Sequence, residues 1–248
     1  MAVQLAARGD GMANPPRQIP FPLGHQPVYD RDSFIVGEAN RAALQLIEKW
    51  PAWPAPVVLL TGPPGSGKTH LAQIWTELAG GRLIPAPQFA RSVEGVNIAG
   101  PVAIDGIDMD NVPEKTLFHL MNMAAEAATT LLLTSRTPVA DWQIGLLDLH
   151  SRLRLAAPAE LTAPDDALLR QVLVKLFTDR QLFVDKNVVD FLLLRMERSL
   201  ASASNIVAAL DRAALSAGRR ITRALAAEVL EGDAGPETPP DREGLSGL

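Results

Sequence analysis

The stretch Gly62-Pro63-Pro64-Gly65-Ser66-Gly67-Lys68-Thr69 fits the pattern G-x-x-x-x-G-K-[S/T] in full, and it follows directly on the apolar run Val57-Val58-Leu59-Leu60-Thr61. A short apolar run reads as a buried strand. The spacing of Leu71, Ile74 and Trp75 after Lys68 reads as a helix that stops at Gly80-Gly81. Strand, glycine-rich loop and helix in this order form a P-loop. Its glycines let successive backbone N–H groups turn inward around phosphate oxygens, and the helix N-terminus adds its positive end. Gly62, Gly65 and Gly67 are therefore candidate phosphate-binding positions. Lys68 is expected to reach the β- and γ-phosphates, and the Thr69 hydroxyl to ligate Mg²⁺. The expected ligand is ATP or ADP with Mg²⁺.

Such a loop needs a carboxylate on a neighbouring strand to hold the metal. Val102-Ala103-Ile104-Asp105 supplies three apolar residues that end in one, so Asp105 is the second candidate metal ligand. Apolar runs at Pro101 to Asp105 and Thr130 to Thr134 read as strands, with a helix between them from Pro113 to Ala128. Glu38 to Trp50 has helical spacing, and Leu155-Ala156-Ala157 is the expected last strand. Strands alternating with helices predict an α/β fold whose mostly parallel sheet lies between helices. After Pro164 only amphipathic helical patterns remain, at Asp165 to Arg180, Asp185 to Arg198, Ser204 to Ala217 and Thr222 to Glu231, with Asp185 and Thr222 as N-caps. The expected organisation is an α/β domain over 28–161 and a small all-α domain over 162–231. Polar or proline-rich disordered ends are expected at 1–17 and 232–248.

Composition narrows the function classes. The net charge of -5 gives no electrostatic footprint for nucleic acid, so strong direct binding is not expected. The absence of cysteine excludes disulfides and thiolate chemistry. The four histidines stand at no ligand spacing. No apolar run approaches the roughly 20 residues that span a bilayer, and the N-terminus lacks signal-peptide character, so no membrane role and a cytoplasmic location are expected.

The two-domain layout resembles P-loop ATPases of the AAA+ type. These usually carry a second acidic residue directly after the metal-side Asp, but here that position is Gly106, and slow self-catalysed turnover is expected. Asp32 to Asn40 resembles the element that forms part of the adenine pocket in the bacterial initiator DnaA. The resemblance implies nucleotide-binding roles for Phe34 and Val36, and for His70 beside the P-loop. Thr130 to Pro138 resembles that family's sensor-1 strand, with Thr134, Ser135 and Arg136 all open as the sensor. Leu149-His150-Ser151-Arg152-Leu153 resembles its arginine-finger box, which implies Arg152 as a finger acting in trans from the edge of the sheet. Ile206 to Arg212 and Ile221 to Leu230 resemble the ends of its helical lid. Aligning on Leu210 puts Ser204 where the initiator has a sensor-2 arginine, and no sensor-2 residue is assigned.

Unlike the initiator, this chain shows no helix-turn-helix pattern after the lid. Ahead of the core, Gln18-Ile19-Pro20-Phe21-Pro22-Leu23 resembles the hexapeptide that binds the DNA polymerase sliding clamp, with Gln18, Phe21 and Leu23 as its contact residues. Together these features are similar to the Hda family of regulatory inactivators of DnaA. The resemblance implies a protein that holds adenine nucleotide, docks on the DNA-loaded clamp and stimulates hydrolysis of DnaA-bound ATP, so inhibiting re-initiation of replication. A homo-oligomer is compatible with the sequence. The competing classes are a DnaC-type helicase loader, which would act on nucleic acid, and a self-sufficient ATPase or P-loop kinase. This sequence shows no basic N-terminal arm, which counts against the first, and Gly106 and the DnaA-like lid count against the second.

Overall fold

Alternation along β1 (Val57–Thr61) decides how the sheet is covered: Val58 and Leu60 enter one hydrophobic core and Leu59 the other. The computed structural model describes residues 29–91, 100–108 and 110–233. Within them β2 (Arg82–Pro85), β3 (Val102–Ile107), β4 (Leu131–Ser135) and β5 (Ala157–Glu160) join β1 in one sheet of order β2-β3-β4-β1-β5, and every pair is parallel.

Helices α1 (Glu38–Glu48) and α2 (Lys68–Ala79) cover one face, where Leu44, Ile47, Leu71 and Trp75 pack on Val58, Leu60, Ala103 and Leu132. On the other face lie α3 (Ala86–Arg91), α4 (Glu114–Glu126) and α5 (Leu147–Leu153), whose Phe89, Leu117, Leu120, Leu149 and Leu153 pack on Ile104, Leu131 and Leu133. Because both faces are buried, β1 and β4 read as continuous apolar runs, and each fully buried leucine contributes about 1.5–3 kcal/mol.

The remaining helices, α6 (Asp166–Asp179), α7 (Lys186–Leu193), α8 (Leu200–Ala217) and α9 (Arg223–Asp233), enclose a third core around Leu173, Phe177, Leu192, Val207 and Leu210. The Asp165 carboxylate accepts the Leu168 amide at 2.7 Å, and Ser199 Oγ accepts the Ser202 amide at 3.0 Å. Thr222 Oγ1 accepts from the Leu225 amide at 3.3 Å, whereas Asp185 stands at the N-cap of α7 without a side-chain cap bond. No helix among the described residues is long and apolar enough to cross a membrane.

Several elements depart from the sequence reading. The helix expected through Arg198 ends at Leu193, and the next begins at Leu200, not Ser204, because Ser199 caps it. The last strand starts at Ala157, with Leu155 left 78% exposed in the preceding turn. Arg152 therefore does not lead straight into a strand. It sits on α5, which forms because Leu149 and Leu153, four residues apart, are both buried under α4. β3 also runs beyond Asp105, with an irregular register between Ile104 and Ile107.

Candidate functional site

The parallel sheet gathers the C-terminal ends of β1, β3 and β4 at one edge, and the loop Gly62 to Gly67 joins β1 to α2 there. Gly65 has φ +68° and Gly67, the residue before α2, has φ +100°; both lie in the left-handed region that favours glycine. Lys68 Nζ donates to the carbonyls of Gly62 at 2.7 Å and Pro63 at 2.8 Å. Burial lowers the Lys68 pKa. Asp105 opposes that shift and Arg136 reinforces it.

Asp105 is held on both oxygens. Thr69 Oγ1 donates to Oδ2 at 2.8 Å and Thr134 Oγ1 donates to Oδ1 at 2.6 Å, while the Gly106 amide donates to Thr134 Oγ1 at 2.7 Å. Of the three residues left open on β4, Thr134 is thus the one bonded to Asp105; Ser135 Oγ instead donates to the Thr137 carbonyl at 2.9 Å. Asp108 spends its carboxylate on its own turn, accepting from the Asp110 amide at 3.2 Å. Ser66 Oγ, inside the loop, is buried without a hydrogen-bond partner among the described residues. A phosphate-binding loop fits that observation, because an anion in the loop would supply the missing acceptor.

Beside the loop, His70 fastens the segment that precedes α1. Its Nε2 lies 2.9 Å from the Asp30 carbonyl and 3.3 Å from Ser33 Oγ, and its ring meets Phe34 and Tyr29 edge-on at 5.1 and 5.2 Å. Burial pulls the His70 pKa down, against the opposing hydrogen bond and charge of Asp30. Phe34 is buried, and its ring edge lies 3.7 Å from where a Cβ on Gly67 would stand. Val36 is half-buried against the same core as Phe34. The structure therefore brings Phe34, His70, Gly67, Lys68, Thr69 and Asp105 together.

The helical region also reaches this site, which the sequence did not reveal. The Leu200 amide donates to the Gly65 carbonyl at 2.9 Å, and a Cβ on Gly65 would lie 2.8 Å from Ser199 Cβ and 3.1 Å from Ala201 Cβ. The first turn of α8 thus presents Ser199 to Ala201, and not Ser204, to the loop. Arg198 is turned to Asp166, 2.9 Å away. Arg152 stands apart from this group: its guanidinium lies over the Phe118 ring of α4, 5.2 Å from the centroid. Gln18, Phe21 and Leu23 lie outside the described residues.

The sheet order, the loop and the appended helices define an AAA+ P-loop ATPase fold with a helical lid. Residues 166–230 match the family model described as Hda, lid domain. The chain is similar to domain III of the Thermotoga maritima replication initiation protein DnaA, at 18% identity and TM-score 0.71 over 85% of this chain and 99% of that one. It is also similar to AMPPCP-bound DnaA from Aquifex aeolicus, at 21% identity and TM-score 0.62 over 75% of this chain and 66% of that one. A Thermotoga maritima RuvB variant matches at 17% identity and TM-score 0.63 over 83% of this chain and 72% of that one. The likeness to these structures shows the AAA+ fold, and residues 166–230 carry the likeness to the Hda lid domain.

Proposed function

We propose that this protein holds adenine nucleotide in its own P-loop, docks on the DNA-loaded sliding clamp and stimulates hydrolysis of ATP bound to DnaA. The observation that carries this reading is the position of Arg152. It rests on α5 against Phe118, with no hydrogen bond or ion pair to the chain's own loop among the described residues, while the residue after Asp105 is Gly106 and offers no carboxylate. A guanidinium so placed serves a neighbour's phosphates better than its own. Fingers supplied in trans are worth about 10³–10⁵ in rate.

The oxygen donors of Thr69 and Asp105, already 2.8 Å apart, suit a hard divalent cation such as Mg²⁺ held jointly with nucleotide phosphates. That ion would neutralise charge between the last two phosphates. The loop amides and Lys68 would hold the phosphates, with Phe34, Val36 and His70 walling the base. Gln18, Phe21 and Leu23 are the proposed clamp contacts. The solvent-facing side of α5 supports a protein partner: Leu147 is 77% exposed, and Ser151 and Arg154 are exposed with it.

The test is hydrolysis of DnaA-bound ATP with the full chain added to clamp-loaded DNA. Acceleration that disappears when Gln18, Phe21 and Leu23 are all replaced by Ala supports the proposal. No acceleration by the unaltered chain rejects it.

A further inference from the structure

Helix α5 carries Arg152 and has little of its own to hold it in place. It is seven residues long, and its N-cap, Leu146, makes no side-chain cap bond. An isolated helix shorter than about 12 residues is marginal in water, so α5 depends on its contacts. Leu149 and Leu153 bury one side of it in the same core as Leu117 and Leu120 of α4. Apolar burial is non-directional, and two leucines do not fix how a short helix turns about its own axis.

The directional contact comes from Glu114, the first residue of α4. Its Oε1 accepts the Gly145 amide at 2.9 Å, and its Oε2 accepts the Leu146 amide at 2.7 Å. Both carboxylate oxygens are thus spent on consecutive backbone amides where α5 begins. Glu114 forms no ion pair among the described residues. Hydrogen bonds to an ionised acceptor are about twice as strong as neutral ones, and a pair of them sets an angle as well as a distance. Phe118, whose ring lies under the Arg152 guanidinium, stands one helical turn on from Glu114. Residues so spaced share a helix face. One face of α4 therefore holds α5 at its start through Glu114 and meets it again near its end at Arg152.

From these contacts we infer that Glu114 is a positioning residue for Arg152: it fixes the orientation of α5, and so the direction in which the guanidinium is offered to a partner's phosphates. The role rests on the reading of Arg152 as a finger acting in trans. Glu114 itself touches no reacting atom. A finger must meet charge developing on a phosphate within a narrow geometry, and a misplacement of about 1 Å can cost on the order of 10² in rate. Loss of Glu114 is therefore felt chiefly at the chemical step, and less in partner affinity.

The experiment follows hydrolysis of DnaA-bound ATP on clamp-loaded DNA against the concentration of the full chain, unaltered or carrying Glu114→Gln, Glu114→Asp or Arg152→Ala. Glutamine is nearly isosteric but has one acceptor and one donor, so it cannot accept from both amides. Glu114→Gln is expected to lower the saturated rate by about tenfold or more and to move the half-saturating concentration by less than about threefold. Its affinity for adenine nucleotide should equal that of the unaltered chain. Glu114→Asp keeps both acceptors on a stem one methylene shorter and is expected to recover part of the rate. An unchanged saturated rate for Glu114→Gln overturns the inference, and so does a shift confined to the half-saturating concentration. If Glu114→Gln fails to fold, Leu146→Pro carries the test, since it removes one of the two donors and suits the local φ of -82°. A lowered saturated rate then supports the inference, and an unchanged one overturns it. Arg152→Ala separates the two readings: if it loses stimulation while Glu114→Gln keeps it, only the role of Glu114 fails. If Arg152→Ala stimulates normally, the finger reading fails and the role of Glu114 fails with it.

Discussion

The backbone amide of Leu200, in the first turn of lid helix α8, donates to the backbone carbonyl of Gly65 in the P-loop at 2.9 Å. This bond ties the lid to the loop without any charged side chain. Gly65→Ala is expected to break the contact, because φ is +68° and the added Cβ would lie 2.8 Å from Ser199 Cβ. A strained left-handed residue costs on the order of 1–3 kcal/mol. Thermal unfolding should show that loss, and calorimetry should show weakened adenine-nucleotide binding.

His70 makes the stability of the segment before α1 depend on pH. Its folded pKa lies below the ordinary value of 6.5, chiefly through burial, so between the two values the unfolded chain binds more protons and stability rises with pH. Its contribution is full above 6.5 and is lost as pH falls through the folded value. Asp30, held low by its hydrogen bonds with Ser33, acts only below its ordinary value of 3.8, so the two windows are separate. His70→Asn should flatten the melting-temperature profile just below 6.5 and leave the more acidic limb in place.

Ala128 follows the C-cap of α4 at φ +48° and is exposed. Ala128→Gly is expected to raise stability by about 0.5–1 kcal/mol, since glycine adopts this conformation without steric cost. Urea unfolding measures the gain, and nucleotide affinity should not change.

The strand–loop–helix around Lys68 was legible because an apolar run, a glycine pattern and a helical period agree over residues 57–79. Asp105 was legible because three apolar residues lead to a single carboxylate. β2 was not: Arg82 and Pro85 are its exposed ends, and an edge strand with no fully buried residue carries little apolar signal. α5 was missed because it is short, although Leu149 and Leu153 carry the four-residue period. The contact of Ser199 to Ala201 with Gly65 joins residues more than 130 positions apart, so no local pattern announces it. Its only local sign is the serine cap that starts α8.

Leu147, the first residue of α5, and Leu155, just past its end, are 77% and 78% exposed. If α5 meets a partner ATPase, these side chains lose water on docking, each contributing on the order of 1 kcal/mol or more. Replacing both by Ser should weaken DnaA binding by about tenfold or more while the hydrolysis rate at saturating DnaA stays near normal. A titration of hydrolysis against DnaA concentration separates the two effects.

Arg152→Ala isolates the proposed finger, read out as the rate at which DnaA-bound ATP is hydrolysed on clamp-loaded DNA. This variant is expected to fold, bind adenine nucleotide and bind the clamp like the unaltered chain, yet to lose most of the stimulation, up to about 10³-fold. Arg152→Lys should restore little of it, because the ammonium lacks the planar fork. Stimulation by Arg152→Ala equal to that of the unaltered chain would rule out Arg152 as the finger.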